Sequence, residues 1–151
     1  TKLLIQTLPD VAIFGEKDYQ QLLIIKRLAR DLDIPTKIIG APTIREIDGL
    51  AVSSRNVYLS PTHRETASSI FKVLKTTATA IALGDDASLA AKKAHDDLVL
   101  AGFSKIEYFE ARHSETLEPI KDTRNPGRLF AAVWLGSTRL IDNLEIKAYS
   151  D

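Results

Sequence analysis

Val11-Ala12-Ile13-Phe14 is a short continuous apolar run, the pattern of a strand buried in a parallel sheet, and Gly15 after it frees the backbone to turn. From Asp18 to Asp33 the apolar positions Leu22, Ile25, Leu28, Ala29 and Leu32 recur at helical spacing, with Lys26, Arg27 and Arg30 toward solvent. Pro35 stops that helix, and Thr36-Lys37-Ile38-Ile39-Gly40 reads as the next strand. Strand, helix, strand is the unit of a parallel sheet with a crossover helix, which places the chain in the α/β class. After Tyr58-Leu59 the pattern changes. Ser60-Pro61 offers a capping hydroxyl before a proline at the first helical position, and Ala67, Ile70, Phe71, Leu74, Ala78 and Ile81 predict one helical stripe up to Gly84. A second helix is expected from about Ala87 to Ala101, ending at Gly102.

Three β-rich runs come next, Lys105 to Arg112, Leu129 to Leu135 and Thr138 to Ile146. Gly136-Ser137 joins the last two as a hairpin, and Asn125-Pro126-Gly127 punctuates the loop before them. Two helices and a three-stranded antiparallel sheet make a separate α+β unit. The expected boundary lies near residue 60, giving segments 1–59 and 60–151, with no internal repeat or low-complexity stretch.

Composition narrows the function. The 20 basic and 20 acidic residues balance to a net charge of +0, and the basic ones are interspersed with acids along helix faces, so nothing favours a nucleic acid partner. With no cysteine, disulfides, thiolate zinc sites and thiol nucleophiles are excluded, and a reducing cytoplasm is the expected compartment. No apolar run approaches the roughly 20 residues that span a bilayer, and no export signal marks the N-terminus. The chain has no Met and opens on Thr1-Lys2-Leu3-Leu4-Ile5, which reads as the middle of an amphipathic helix and suggests a piece of a longer protein.

Two stretches carry candidate chemistry. Gly15-Glu16-Lys17-Asp18 falls at the carboxyl end of a parallel strand, where helix N-termini present free N–H groups to anions. Lys17 adds a cation for a phosphate, and Asp18 an acceptor for a ribose hydroxyl. Asp18 with Gln21 three residues on equally fits a capping box that would satisfy the helix with no ligand. Ser53-Ser54-Arg55 lies in a loop with Gly49; its hydroxyls and planar guanidinium suit a polyphosphate, although the same triplet is common in surface turns. His63 and His95 fall on expected helices and His113 at a strand end, too scattered for a zinc site, and no residue is assigned to a metal.

Phe-Gly-Glu-Lys-Asp-Tyr-Gln-Gln at 14–21 and Arg-Glu-Ile-Asp-Gly-Leu-Ala-Val-Ser-Ser-Arg-Asn-Val-Tyr-Leu-Ser at 45–60 closely resemble the pantothenate synthetases, or pantoate-β-alanine ligases. Thr138-Arg139-Leu140-Ile141-Asp142-Asn143 looks like that family's C-terminal hairpin, so the resemblance runs along the whole chain in order. It implies the C-terminal remnant of a Rossmann-like nucleotide-binding domain followed by a small α+β lid. Gly15, Glu16, Lys17 and Asp18 would line the ATP site, Gln21 would bind pantoate, and the backbone around Ile44 would meet adenine. Val52, Ser53, Ser54 and Arg55 would form the mobile loop over the triphosphate, Val52 standing where the family often has Met.

The implied reaction has two steps. Pantoate's carboxylate attacks the α-phosphorus of ATP and expels pyrophosphate; the amine of β-alanine then attacks the acyl adenylate and releases AMP. Lys17, Ser53, Ser54 and Arg55 would carry the charge of the first step, with Mg²⁺ bridging phosphates and a homodimer as the working form. The family's His-x-Gly-His signature is not in this sequence, so the chain alone is expected not to turn over. Two other readings remain open: a nucleotidylyltransferase of the same superfamily acting on another cofactor precursor, and a non-catalytic lid or interaction module.

Overall fold

The computed structural model describes residues 1–120 and 126–147. Contacts divide the chain into two units, Thr1–Ile44 and Arg45–Asp151.

In the first unit a short helix α1 (Lys2–Thr7) precedes strand β1 (Val11–Gly15). One 3₁₀ turn (Glu16–Asp18) leads into helix α2 (Tyr19–Asp31), and strand β2 (Lys37–Ala41) closes the unit. β1 and β2 pair in parallel from Val11↔Lys37 to Gly15↔Ala41, the pairing that the α2 crossover permits. Leu22 on the apolar face of α2 is almost completely buried, and it lies so close to Gly40 that a Cβ there would stand 2.9 Å from Leu22 Cδ2. Glycine at position 40 therefore admits the helix onto the sheet. Leu4, Ala29 and Ile34 form a small cluster with Ala12, Ile25, Leu28 and Ile38 around them. The apolar run of β1 is not buried throughout: Val11 and Ile13 are exposed while Ala12 and Phe14 are half-buried, because α2 covers one face of the pair.

The second unit opens with the loop at residues 45–53 and a 3₁₀ turn (Ser54–Tyr58). Helices α3 (Pro61–Ala67), α4 (Ser69–Ala82) and α5 (Ala87–Leu100) come after it, then strands β3 (Lys105–His113), β4 (Gly127–Leu135) and β5 (Thr138–Ile146). The strands form one antiparallel sheet in the order β3-β4-β5. Leu135 pairs with Thr138 across the Gly136-Ser137 turn, where Gly136 has φ +56°. The expected hairpin is in place, and the α/β class with its three-stranded antiparallel sheet holds. Ile70, Leu74 and Ile81 of α4 and Ala94 and Leu98 of α5 pack with Leu129, Val133, Leu135 and Leu140 into one apolar core. Asn125 of the expected Asn125-Pro126-Gly127 turn lies outside the described residues, and Gly127 starts β4.

Two sequence expectations differ in detail. The helical stripe from Pro61 to Ile81 is two helices, because the buried Ser68 turns its hydroxyl back to the Glu65 carbonyl (2.9 Å) and competes with the helical ladder. The break expected near residue 60 marks the change of secondary structure, whereas the contact division falls between Ile44 and Arg45. Leu50 belongs to the second unit's core, and Arg45 bonds to β5, so the loop at 45–53 packs with the helices and sheet of the second unit. Among the described residues no helix is long and apolar enough to cross a membrane.

Candidate functional site

The first group of candidate residues gathers at the carboxyl rim of the β1-β2 pair. Gly15 ends β1 with ordinary extended angles (φ −70°, ψ +135°), so the sharp turn expected of it is absent, and a Cβ built there meets nothing within 4 Å. Neither conformation nor packing demands glycine; what its hydrogen leaves is open space above the strand end. Glu16 folds over the neighbouring strand, its Oε1 3.1 Å from where a Gly40 Cβ would be. Lys17 is half-buried on the 3₁₀ turn, and Asp18 is exposed at the N-cap of α2. Asp18 makes no side-chain cap bond, so the capping box with Gln21 does not form. The Asp18 backbone (φ −94°, ψ +60°) departs from the extended conformation in which an N-cap side chain reaches the first helical N–H groups. Gln21 is exposed on the first turn of α2. Ala41 pairs with Gly15, and Ile44, 72% exposed, comes three residues later on the same rim. Gly15, Glu16, Lys17, Asp18, Gln21 and Ile44 thus share one end of one parallel sheet, the end where ligands of such sheets bind.

The second group lies on the second unit. Val52 is exposed, and Ser53 caps the 3₁₀ turn after it, its Oγ accepting the Arg55 N–H (3.3 Å). Ser54 and Arg55 are exposed, and the Arg55 guanidinium makes no hydrogen bond among the described residues. Asn56 Nδ2 donates to the Ala51 carbonyl (3.2 Å). Upstream, Asp48 accepts from Arg64 Nη1 (2.5 Å) and from the Leu50 N–H (3.2 Å). The Arg64 guanidinium holds the Asp48 carboxyl below the usual carboxylate range. The turn before the serines is thereby tied to α3.

Sequence reading missed the role of Arg45 and Asp142. Asp142 on β5 is buried and forms an ion pair with Arg45 at 2.6 Å. It shares the parity of Leu140 and Ile146, both in the core, and a carboxylate at an inward strand position is itself a signal that a buried cation must face it.

The histidines stay apart from both groups. His113 Nδ1 accepts from the Glu115 and Thr116 N–H groups (3.1 and 3.2 Å), His63 lies against the Gly136 turn, and His95 sits beside Asp96. A cavity of about 530 Å³ in the second unit is lined by α5, β3 and Pro119-Ile120, including Lys92, His95, Glu110 and Arg112. None of the candidate residues lines it. Arg112 is paired with Glu110 there (2.7 Å).

A family model described as pantoate-beta-alanine ligase matches residues 1–145. This chain belongs to the pantoate-β-alanine ligase family. The pantothenate synthetase of Rhodopseudomonas palustris (strain BisA53) is 53% identical over 146 residues, covering 96% of this chain and 51% of that protein. That of Mesorhizobium japonicum is 51% identical over 145 residues, with the same shares. The crystal structure of pantothenate synthetase from Thermus thermophilus superposes with a TM-score of 0.89 at 40% identity, covering 96% of this chain and 52% of that one. A Francisella tularensis pantoate-beta-alanine ligase, described as complexed with beta-gamma ATP and beta-alanine, superposes with a TM-score of 0.71 at 34% identity; the shares are 96% and 47%. The chain therefore spans about half the length of the ligases it matches.

Proposed function

We propose that this chain is the C-terminal portion of an ATP-dependent ligase that joins pantoate to β-alanine through a pantoyl adenylate, releasing pyrophosphate and then AMP. The observation that carries the reading is the carboxyl rim of β1-β2, where Gly15 leaves open space and Lys17 and Asp18 lie at the start of a helix with no side-chain cap. The family membership and the ATP named with the Francisella relative support the nucleotide as its occupant. In this reading residues 1–59 supply the nucleotide-binding part and 60–151 the lid, with residues 45–59 packed on the lid's side of the contact division.

The first step drives a carboxylate against a polyanion, so charge neutralisation and alignment supply the catalysis rather than a covalent nucleophile. Lys17 donates its ammonium hydrogens to a phosphate, and the Asp18 carboxylate accepts from the ribose. Gly15 and Glu16 shape the rim, the backbone at Ile44 meets adenine, and Gln21 holds pantoate. Arg55 clamps phosphate oxygens with its fork, while Ser53 and Ser54 donate to the departing pyrophosphate and Val52 lines the loop. Ser53 Oγ can donate its hydrogen there while still accepting the Arg55 N–H. Loop closure keeps water from the acyl adenylate.

Mg²⁺ belongs to the reading as the nucleotide's counter-ion. The described residues include no group of three or more His, Asp or Glu side chains that would hold it, and no step runs through it. A cytoplasmic homodimer completes the proposal. The test is pantoate-dependent ATP–pyrophosphate exchange in a full-length ligase carrying this sequence: Arg55→Ala and Lys17→Ala are each expected to lose on the order of a hundredfold. Exchange at the unsubstituted rate in both variants would overturn the assignment.

A further inference from the structure

Arg45 makes more directed contacts than any group in the serine-arginine loop. Its Nη1 donates to Asp142 Oδ2 (2.6 Å) and to the Gly49 carbonyl (3.1 Å). Its Nη2 donates to Asp142 Oδ1 (3.0 Å) and to the Asn143 carbonyl (3.3 Å), and its guanidinium carbon lies 4.0 Å from the centre of the Phe71 ring. The fork-on-carboxylate geometry, with one face stacked on an aromatic ring, allows a single orientation of the guanidinium. Both partners are withdrawn from water, with side-chain exposures of 17% for Arg45 and 3% for Asp142.

This pair fixes a closed turn. Arg45 and Ala51 bridge as an antiparallel pair, the Glu46 N–H donates to the Leu50 carbonyl (2.8 Å), and the Gly49 N–H donates to the Glu46 carbonyl (2.9 Å). Gly49 has φ +93°, and Phe71 occupies the volume where its Cβ would be, so the ring that stacks on Arg45 also seats the turn. Locking Arg45 therefore locks Ala51. Asn56 then grips the Ala51 carbonyl from the far side of the serines. Ser53, Ser54 and Arg55 are held between these two points, and Ser53 lies within about 7 Å of chain from Ala51.

We propose that Arg45 and Asp142 are positioning residues that set where the Ser53-Ser54-Arg55 loop begins, acting on ATP through that loop without touching the nucleotide. The inference rests on the nucleotide reading of the loop. A salt bridge that served folding alone would need neither the bond to Gly49 nor the shared Phe71 seat; these direct its rigidity into the turn.

Steady-state kinetics of a full-length ligase carrying this sequence tests it. Arg45→Lys keeps the charge and loses the fork; its KM for ATP is expected to rise about tenfold or more, and its kcat to fall by as much as roughly a hundredfold, the cost of an ångström-scale misplacement. The KM for pantoate stays as in the unsubstituted enzyme. The paired variant R45M/D142L removes both charges at once; it also takes the acceptor from the buried Asn143 N–H, so its melting temperature is measured alongside, and the ATP defect is expected in the fraction that stays folded. Hydrogen exchange at amides 52–58 is expected to quicken in Arg45→Lys while that of β4 does not change. An unaltered KM for ATP in both variants, or unaltered exchange at 52–58, overturns the inference. Arg55→Ala is measured beside them: if it leaves both kcat and the KM for ATP unchanged, the nucleotide reading itself fails, whereas a defect in Arg55→Ala alone rejects only the positioning role.

Discussion

Glu107 shows what a well-placed partner does to one side chain. Its Oε2 accepts from Arg139 Nε (2.9 Å) and from Trp134 Nε1 (3.1 Å), and its Oε1 accepts from Arg139 Nη2 (3.0 Å). Arg139 foremost, then Trp134, pushes the carboxyl from its ordinary 4.5 down to about 2. Because the folded value lies below the unfolded one, the carboxylate stabilises the sheet at every pH above about 4.5, and that stabilisation disappears as pH falls from there towards 2. The group is exposed, so its contribution is screened by salt. The melting temperature of the native sequence is expected to exceed that of Glu107→Gln by a constant margin near neutrality. Thermal scans should show that margin closing between pH 4.5 and 2; a margin that does not narrow would mean the ion pair contributes nothing.

At the scale of elements, α5 depends on the residue that caps it. Asp86 Oδ1 accepts from the Ser88 and Leu89 N–H groups, both at 2.9 Å, satisfying two of the helix's orphan donors. Asp86→Ala is expected to cost about 1 kcal/mol in urea unfolding, and Asp86→Asn much less, since asparagine caps about as well. Equal losses in the two variants would assign the effect to charge rather than capping. The strands and α5 were legible in the sequence because period and turn residues agree: inward and outward positions alternate through Thr138 to Ile141, and Gly136 supplies the positive φ of the hairpin. The split at Ser68 was not, since Ala67, Ile70 and Phe71 continue the helical stripe across it. Of the candidate site, both polar stretches were legible as local runs. Arg45 with Asp142 was not, because 97 residues separate them and local pattern carries no information on pairing at that distance.

For the whole molecule, the division at Ile44/Arg45 assigns the two candidate groups to different bodies. Lys17, Asp18 and Gln21 belong to a unit with a two-stranded sheet and a small cluster around Leu4, Ala29 and Ile34, while Ser53 to Arg55 belong to a unit with an extensive core. Two strands with one covered face are a thin support for the candidate rim. The ligases it matches are about twice as long. Incubated alone with ATP, pantoate and β-alanine, this chain is therefore expected to form no AMP at an enzyme-like rate. Coupled detection of AMP checks this, and turnover on the order of 1 s⁻¹ or faster would refute it.

Trp134 is the sole tryptophan, and its indole nitrogen is bonded to a carboxylate on the second unit's sheet. Intrinsic fluorescence excited at the indole band thus comes from that body alone, with the first unit dark. Circular dichroism samples helices in both, so any gap between the two melting curves measures how independently the first unit comes apart, with no label attached.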